Sequence, residues 1–121
     1  HMEAIGSISA AVKSARESTS GVRIIVEVET LQQVQKALEA GADQLLIDNL
    51  PTHILARAVQ IGQQHRRMHR GSEVKLEASG NIDINNVRDI ADTGVDYISI
   101  GGLTKHVTAI DLSMRFGEEE S

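Results

Sequence analysis

The sequence predicts an α/β protein built from consecutive βα units. Short aliphatic runs that end in a carboxylate or a glycine recur along the chain, and stretches with helical apolar spacing separate them. At 121 residues the chain has room for one domain and for about half of an eight-fold βα barrel, which needs roughly 250 residues. We therefore expect a partial barrel with about four parallel βα units, and a flavodoxin-like doubly wound sheet is the alternative.

The composition restricts both the core and the partners. Aromatic residues make up 2% of the chain, so Ile, Leu, Val and Ala must build the core, which suits buried parallel strands. The net charge is −5 and no aromatic residues alternate with the basic ones, so nucleic acid is not an expected partner. The chain has no cysteine, which excludes disulfides and thiolate sites and is compatible with the cytoplasm. Its apolar runs are too short for a membrane span.

Capping residues and apolar spacing define each element in turn. Thr30 and Gln33 have capping-box spacing, Gly41 is placed to end that helix, and Pro51 fits the first turn of the next one. The predicted strands are Arg23–Val28, Gln44–Asp48, Val74–Ala78 and Tyr97–Ile100. The predicted helices are Ser7 to about Glu17, one after Thr30, one from Pro51 that fades over 63–72, one opened by Asp83 and Asn86 and closed by Gly94, and a turn at Lys105–Ala109. A strand-like segment, Asp111–Phe116, follows them.

The two ends of the chain and one near-repeated segment differ from the pattern of strands and helices. We predict a single domain over residues 1–121, in which His1-Met2 resembles a cloning scar and the acidic tail 117–121 has nothing apolar to bury, so we expect neither to contribute to the fold. The stretch Glu39-Ala-Gly-Ala-Asp43 nearly repeats as Asp92-Thr-Gly-Val-Asp96, each time just before a predicted strand. This near copy indicates internal repetition of a βα unit.

Two carboxylates are predicted to meet at one edge of the sheet. Glu27 lies near the end of its strand, and Asp48 ends the next one. The carboxyl ends of adjacent parallel strands lie on the same rim, where two carboxylates can hold Mg²⁺ or accept hydrogen bonds from ribose hydroxyls. Alternatively, Glu27 pairs with a basic neighbour and Asp48 caps a helix, and the spacing alone does not separate these interpretations.

Two small-residue turns follow predicted strands and precede predicted helices. They are Ser79-Gly80-Asn81 and Gly101-Gly102. Backbone N–H groups at such turns can bind an anion, although a glycine after a strand is more often a simple turn. Lys105 follows the second turn and can neutralise a phosphate there, or it is a solvated surface lysine.

Other charged residues favour structural interpretations. Lys75 and Glu77 alternate onto one strand face, where unpaired charge is costly, and we expect a structural role for them, with Glu77 the better site candidate. His65 and His69 have the i, i+4 spacing of a helical metal site. They lack a third ligand nearby, so a solvated basic helix end is the favoured interpretation.

Taken together, from about Gly6 to Phe116, these segments resemble the C-terminal barrel domain of the quinolinate phosphoribosyltransferase family. The resemblance implies that Glu27 and Asp48 contact the ribose and the Mg²⁺ of phosphoribosyl pyrophosphate and that the two turns bind the 5′-phosphate. The family usually reads Ile-Glu-Val-Glu-Val where this chain has Ile24-Ile-Val-Glu-Val28. Asn81 stands where many members have a second glycine.

The resemblance also implies what this sequence does not contain. Family members carry an N-terminal domain and basic residues that hold the carboxylates of quinolinate, and neither has a counterpart here. We therefore expect a fragment with the phosphate and ribose half of the site, inactive alone, and a stand-alone βα module without activity is the alternative. The open edges and apolar strand faces of half a barrel predict a homodimer.

Overall fold

A computed structural model describes residues 2–18 and 21–107, with side chains from residue 7 onward. Its helices are α1 Met2–Ser18, α2 Leu31–Ala40, α3 Thr52–Met68 and α4 Val87–Asp92. Its strands are β1 Ile25–Val28, β2 Gln44–Asp48, β3 Lys75–Ser79, β4 Tyr97–Ile100 and β5 Leu103–His106. None of the helices in these two ranges combines the length and apolarity that crossing a membrane requires.

The five strands form one sheet in sequential order, β1-β2-β3-β4-β5. The first four are parallel, and β5 runs antiparallel to β4. Because βαβ crossovers are right-handed, strands that advance in one direction place their helices on one face of the sheet. The prediction of a partial barrel is confirmed. The doubly wound alternative is wrong, because it needs a strand order that reverses direction.

The two faces of the sheet differ in character. The helix-covered face carries the buried strand residues Val28, Leu45, Ile47, Leu76, Ala78 and Ile98. Register and alternation put the following side chains on the other face: Ile25, Glu27, Gln44, Leu46, Asp48, Lys75, Glu77, Ser79, Tyr97, Ser99, Thr104 and His106. The expectation of an apolar uncovered face is therefore wrong for the described strands, since only two of these residues are aliphatic.

Helix α2 begins and ends as its sequence predicts. The Thr30 hydroxyl accepts a hydrogen bond from the backbone N–H of Gln33 at 3.1 Å, and the Gln33 side chain accepts one from the backbone of Glu29 at 2.7 Å. Gly41 adopts a left-handed conformation with φ of 90° and ends the helix. Helix α3 runs to Met68, further than predicted, and Arg66 in its polar stretch donates to the carbonyl of Val74 at 3.3 Å and lies 3.8 Å from the Asp96 carboxylate.

The predicted helical turn at Lys105–Ala109 is wrong at Lys105 and His106, which belong to strand β5, Leu103–His106, whereas Val107 is helical. Gly101 and Gly102 both have positive φ, 56° and 82°, which matches the two-residue turn that joins antiparallel strands. Ile100 and Leu103 pair across this turn. Residues 108–109 and the predicted strand at 111–116 lie outside the described part of the chain.

The two near-copied segments perform the same structural task. The Asp43 carboxylate accepts a hydrogen bond at 2.7 Å from the backbone N–H of Ile24, which precedes β1. The Asp96 carboxylate accepts one at 2.9 Å from the backbone N–H of Leu76 in β3. Each aspartate thus ties the start of its own strand to the preceding strand, which supports the predicted repetition of a βα unit.

The pKa of Asp43 predicts how acid weakens the fold. Burial acts to raise this pKa, but the hydrogen bond from Ile24 and the Arg16 guanidinium, 2.9 Å away, outweigh it and lower the pKa below its ordinary value of 3.8. A lowered folded-state pKa contributes stability that is present above pH 3.8 and lost as pH falls through the folded value. In urea unfolding, the stability difference between wild type and Asp43→Asn should hold at neutral pH and shrink below pH 3.8. A difference that stays constant through this range would contradict the assignment.

Candidate functional site

The polar residues at the carboxyl ends of β1, β2 and β3 form one rim. Asp48 and Ser79 are direct partners across β2 and β3, and Glu27 pairs with Leu46, two residues before Asp48. Strand geometry puts the Cα atoms of Glu27 and Asp48 about 8 Å apart. Glu27 is exposed and Asp48 is half-buried. The structure thus brings both predicted carboxylates to the same rim, at a spacing that a hydrated cation can bridge.

The loops that follow β2 and β3 are joined by hydrogen bonds. The backbone N–H of Asn49 donates to the carbonyl of Ser79 at 2.8 Å, and the Asn81 amide donates to the Asn49 side-chain oxygen at 2.9 Å. Both asparagines have left-handed backbones, with φ of 57° and 54°, a conformation that Asn tolerates better than most residues. These two hydrogen bonds join the loops after β2 and β3 to each other.

Gly80 occupies the point where the two loops touch. Its φ is 86°, and a Cβ added there would lie 2.7 Å from Asp48 Oδ1 and 3.0 Å from the backbone nitrogen of Asn49. Only a residue without a side chain fits this space. The backbone of the predicted anion loop therefore lies against the predicted carboxylate, a relationship that the sequence spacing did not reveal.

Asn86 and Asp83 hold the part of this loop that leads into α4. Asn86 donates from its side chain to the carbonyl of Asn81 at 2.7 Å, and the Asp83 carboxylate accepts from the backbone of Asn85 at 2.8 Å. The following helix, α4, has only six residues. Its dipole is correspondingly small, so the backbone donors of the loop contribute more than the helix to the positive potential at this point.

The second predicted anion loop has a different setting from the one that its sequence suggests. Gly101 and Gly102 lie at the carboxyl end of β4, the same end as Asp48, but they join two strands instead of a strand and a helix. Lys105 pairs with Ile98, which places it on the helix-covered face, whereas Asp48 lies on the other face. The structure therefore brings the two glycines to the rim and sets Lys105 apart from it.

A hydrogen-bonded chain that the sequence analysis missed crosses the uncovered face. Glu77 is buried, and its carboxylate accepts hydrogen bonds from Gln44 at 2.7 Å and from Thr104 at 3.2 Å. The Arg23 guanidinium in turn donates to the Gln44 side chain. The sequence shows that polar residues alternate along each strand. It does not show the strand register, which decides which of these residues meet.

The histidines in the described part of the chain do not form a metal ligand set. His65 and His69 stack with ring centroids 4.2 Å apart, and His106 contacts Tyr97 edge to face at 5.4 Å. Burial and the neighbouring His69 lower the pKa of His65. Within the described ranges, no three His, Asp or Glu residues are grouped closely enough to enclose a metal ion.

Fold and site together define a class of protein. It is a partial βα barrel with its candidate ligand groups at the carboxyl ends of parallel strands, where βα barrels bind their ligands. Residues 1–115 match the family described as “Quinolinate phosphoribosyl transferase, C-terminal domain”. The chain belongs to this family.

Individual relatives agree with the family match. The chain is 38% identical over 115 residues to a probable nicotinate-nucleotide pyrophosphorylase [carboxylating] of Bacillus subtilis, covering 94% of this chain and 37% of that protein. It is 33% identical over 122 residues to the human nicotinate-nucleotide pyrophosphorylase [carboxylating], covering 99% of this chain and 39% of that protein. The chain thus spans less than half the length of these relatives.

Solved structures show the same relationship. The nicotinate-nucleotide pyrophosphorylase of Francisella tularensis superimposes with a TM-score of 0.69 at 36% identity, over 83% of this chain and 34% of that one. The enzyme of Ehrlichia chaffeensis gives 0.69 at 37% identity, over 84% and 34%. The fold described above is therefore the fold of this part of those enzymes.

Proposed function

We propose that this chain provides the phosphoribosyl-binding part of an enzyme that forms nicotinate mononucleotide from quinolinate and phosphoribosyl pyrophosphate. The contact between Gly80 and Asp48 carries the proposal, because it holds an anion-binding backbone beside a carboxylate that can share a cation with the ligand. The names of the relatives support the reaction, and the lack of cysteine suits a cytoplasmic setting.

In this proposal the loop residues bind the phosphate and the carboxylates bind the sugar. The backbone N–H groups of Ser79-Gly80-Asn81 and of Gly101-Gly102 donate to phosphate oxygens, and Lys105, on the helix-covered face, takes no part. Glu27 and Asp48 accept hydrogen bonds from ribose hydroxyls. The hydrogen bonds between Asn49, Ser79 and Asn81 hold both loops in place before the ligand arrives.

The rim residues fit Mg²⁺ as a shared ion rather than as a tightly enclosed one. Mg²⁺ usually takes one or two carboxylates, several waters and the phosphates of its substrate. Glu27 and Asp48 supply two carboxylates, and no larger ligand cluster occurs among the described residues. When bound, the ion neutralises a diphosphate that the two carboxylates would otherwise repel.

Asp48→Asn tests this arrangement. In amide NMR titrations with phosphoribosyl pyrophosphate, we expect signals of 79–81 and 101–102 to shift, and Mg²⁺ to strengthen binding by the wild-type chain. The Asn variant should retain binding without Mg²⁺ and lose most of the Mg²⁺ effect. That effect should be at most roughly fivefold, because an exposed charge pair contributes up to about 1 kcal/mol.

Asp92→Asn is the matched control, because it removes one exposed carboxylate at the far end of α4. It should keep the wild-type response to Mg²⁺. An equal Mg²⁺ effect in wild type and Asp48→Asn would refute the role of Asp48. No shift of 79–81 at tens of millimolar ligand would refute the phosphate loop itself.

We also propose that the chain forms a homodimer through the free edge of β1. Within the described residues β1 pairs only with β2, and Ile25 on this strand is 55% exposed. An unpaired strand edge with an exposed aliphatic residue favours pairing with a second copy. The polar character of the uncovered face supports pairing at the edge instead of burial of that face.

Light scattering at micromolar concentration tests the dimer. Wild type should show twice the monomer mass of 13.1 kDa. Ile25→Lys should shift the mass toward the monomer, because a lysine on an edge strand opposes pairing. Ile84→Lys, which changes an isoleucine outside the sheet that is 68% exposed, should leave the mass unchanged. A wild-type chain with the monomer mass would contradict the proposal.

A further inference from the structure

In the proposed function one phosphate is bound by two loops, the β3 loop at residues 79–81 and the hairpin turn at residues 101–102. On the β2 side, strand pairing continues to Ser79 and so reaches the β3 loop. On the β4 side, the described pairing of β3 ends with Ala78 and Ile98, before either loop begins. The backbone ladder between β3 and β4 therefore does not fix the separation of the two loops.

A hydrogen bond from Thr104 to Glu77 joins the hairpin to β3 across β4. The Thr104 hydroxyl donates to Glu77 Oε2 at 3.2 Å. The two residues lie on strands that are two strand spacings apart, about 10 Å, because β4 runs between them. A glutamate side chain is long enough to cover much of this gap. Ser99, the partner of Thr104 in β4, is small and leaves the path open.

Gln44 holds the Glu77 carboxylate from the other side. Its side-chain nitrogen donates to Glu77 Oε1 at 2.7 Å, and its side-chain oxygen accepts from the Arg23 guanidinium. The arginine thus decides which end of the amide faces Glu77, because only the amide nitrogen can donate. Glu77 is buried, and each of its carboxylate oxygens has a donor. One orientation of the carboxylate therefore satisfies both donors.

The position of this contact along the chain connects it to both loops. Glu77 lies two residues before Ser79 on β3, and Thr104 lies two residues after Gly102 on β5. The hydrogen bond between them thus links the two segments that carry the loops. Loops that are held in place before a ligand arrives lose less conformational freedom on binding, so the contact favours binding of a phosphate by both loops.

We infer that Glu77 is a positioning residue of the candidate phosphoribosyl site, which holds the hairpin turn at the distance from the β3 loop at which one phosphate contacts both. The inference rests on the proposed function, in which both loops bind the same phosphate. This role requires the length and the hydrogen bonds of residue 77. It does not require a negative charge there, in contrast to a carboxylate that binds a cation.

Titration with inorganic phosphate, followed by amide NMR at constant ionic strength, tests this role. In wild type, signals of 79–81 and 101–102 should shift along one common binding curve. Glu77→Asp keeps the charge but shortens the side chain, and Thr104→Val removes the hydroxyl without changing the shape. Each should weaken binding by roughly threefold to tenfold, the range that the loss of one hydrogen bond produces. The shifts of 101–102 should shrink more than those of 79–81.

Glu77→Gln separates reach from charge. The glutamine keeps the length of the side chain, and it can accept from Gln44 and donate to the Thr104 oxygen, so it should bind phosphate no more than about twofold more weakly than wild type. Thr93→Val is the matched control. It removes a hydroxyl that donates to the carbonyl of Ile90 at 2.6 Å, at the far end of α4, and should leave phosphate binding unchanged.

The outcomes separate this inference from the proposed function. Equal weakening by Glu77→Gln and Glu77→Asp would show that charge matters, and unchanged binding by Thr104→Val would show that the contact does not position the turn. Either result would overturn the inference while the phosphate loops stand. Thr104 is exposed, so its variant should fold even where Glu77→Asp does not. A wild-type chain without shifts at either loop would refute the phosphate loops and this inference with them.

Discussion

The purified chain is expected to form no nicotinate mononucleotide from quinolinate, phosphoribosyl pyrophosphate and Mg²⁺. The chain spans 37% and 39% of the Bacillus subtilis and human relatives, and the family resemblance implies that the basic residues that hold quinolinate lie outside this span. Holding two reactants in a productive geometry can supply about 7–11 kcal/mol of the barrier. Without that contribution the rate should fall by a factor of about 10⁵–10⁸, below detection.

The assay needs two controls. The full-length Bacillus subtilis relative, under the same conditions, shows that turnover is measurable. Asp48→Asn identifies trace activity from the expression host, because a contaminant is unaffected by a change in this chain. Turnover by wild type that Asp48→Asn abolishes would contradict the prediction. Absent turnover together with absent ligand binding would favour a stand-alone structural module.

Gly80→Ala is expected to destabilise the fold by about 2–4 kcal/mol, more than its backbone conformation alone explains. A positive φ costs a non-glycine residue about 1 kcal/mol. The added methyl would also lie 2.7 Å from Asp48 Oδ1 and 3.0 Å from the backbone of Asn49, and relieving such overpacking typically costs about 1–3 kcal/mol. Because the loops must move apart, ligand-induced shifts at 79–81 should weaken as well.

Gly41→Ala provides the matched control. Gly41 has nearly the same φ, 90° against 86°, but an added Cβ there has nothing within 4 Å. Gly41→Ala should therefore lower the free energy of unfolding only by the conformational cost of a positive φ, about 1 kcal/mol. Urea unfolding of the three proteins measures both values. Equal losses for the two variants would show that the contact between Gly80 and Asp48 does not constrain the fold.

The sequence predicted most elements because their signals are local. Helix α2 follows from Thr30, Gln33 and Gly41, which act within one or two helical turns, and β2 and β4 have the predicted bounds. The carboxylates Glu27 and Asp48 were assigned to one rim because the ends of parallel strands meet there. These inferences required only short-range periodicity and the general geometry of βα units.

The hairpin after β4 shows where local reasoning fails. The Gly101-Gly102 pair is compatible with a strand-to-helix turn and with a two-residue hairpin turn. Pairing of Leu103–His106 with β4 decides between them, because it satisfies the backbone groups along one edge of that strand. The sequence shows the turn, but the energy that selects it comes from the neighbouring strand.

By itself, the sequence determined the α/β class, the succession of βα units along the chain, the family and the rim carboxylates, whereas the order of the strands in the sheet came from the structure. The tertiary structure alone decided that Gly80 lies against Asp48, that Gln44 joins Arg23 to Glu77, and that the uncovered face is polar. The physical reason is register. Which side chains meet across a sheet depends on how strands align, and a shift of one residue moves every side chain to the opposite face.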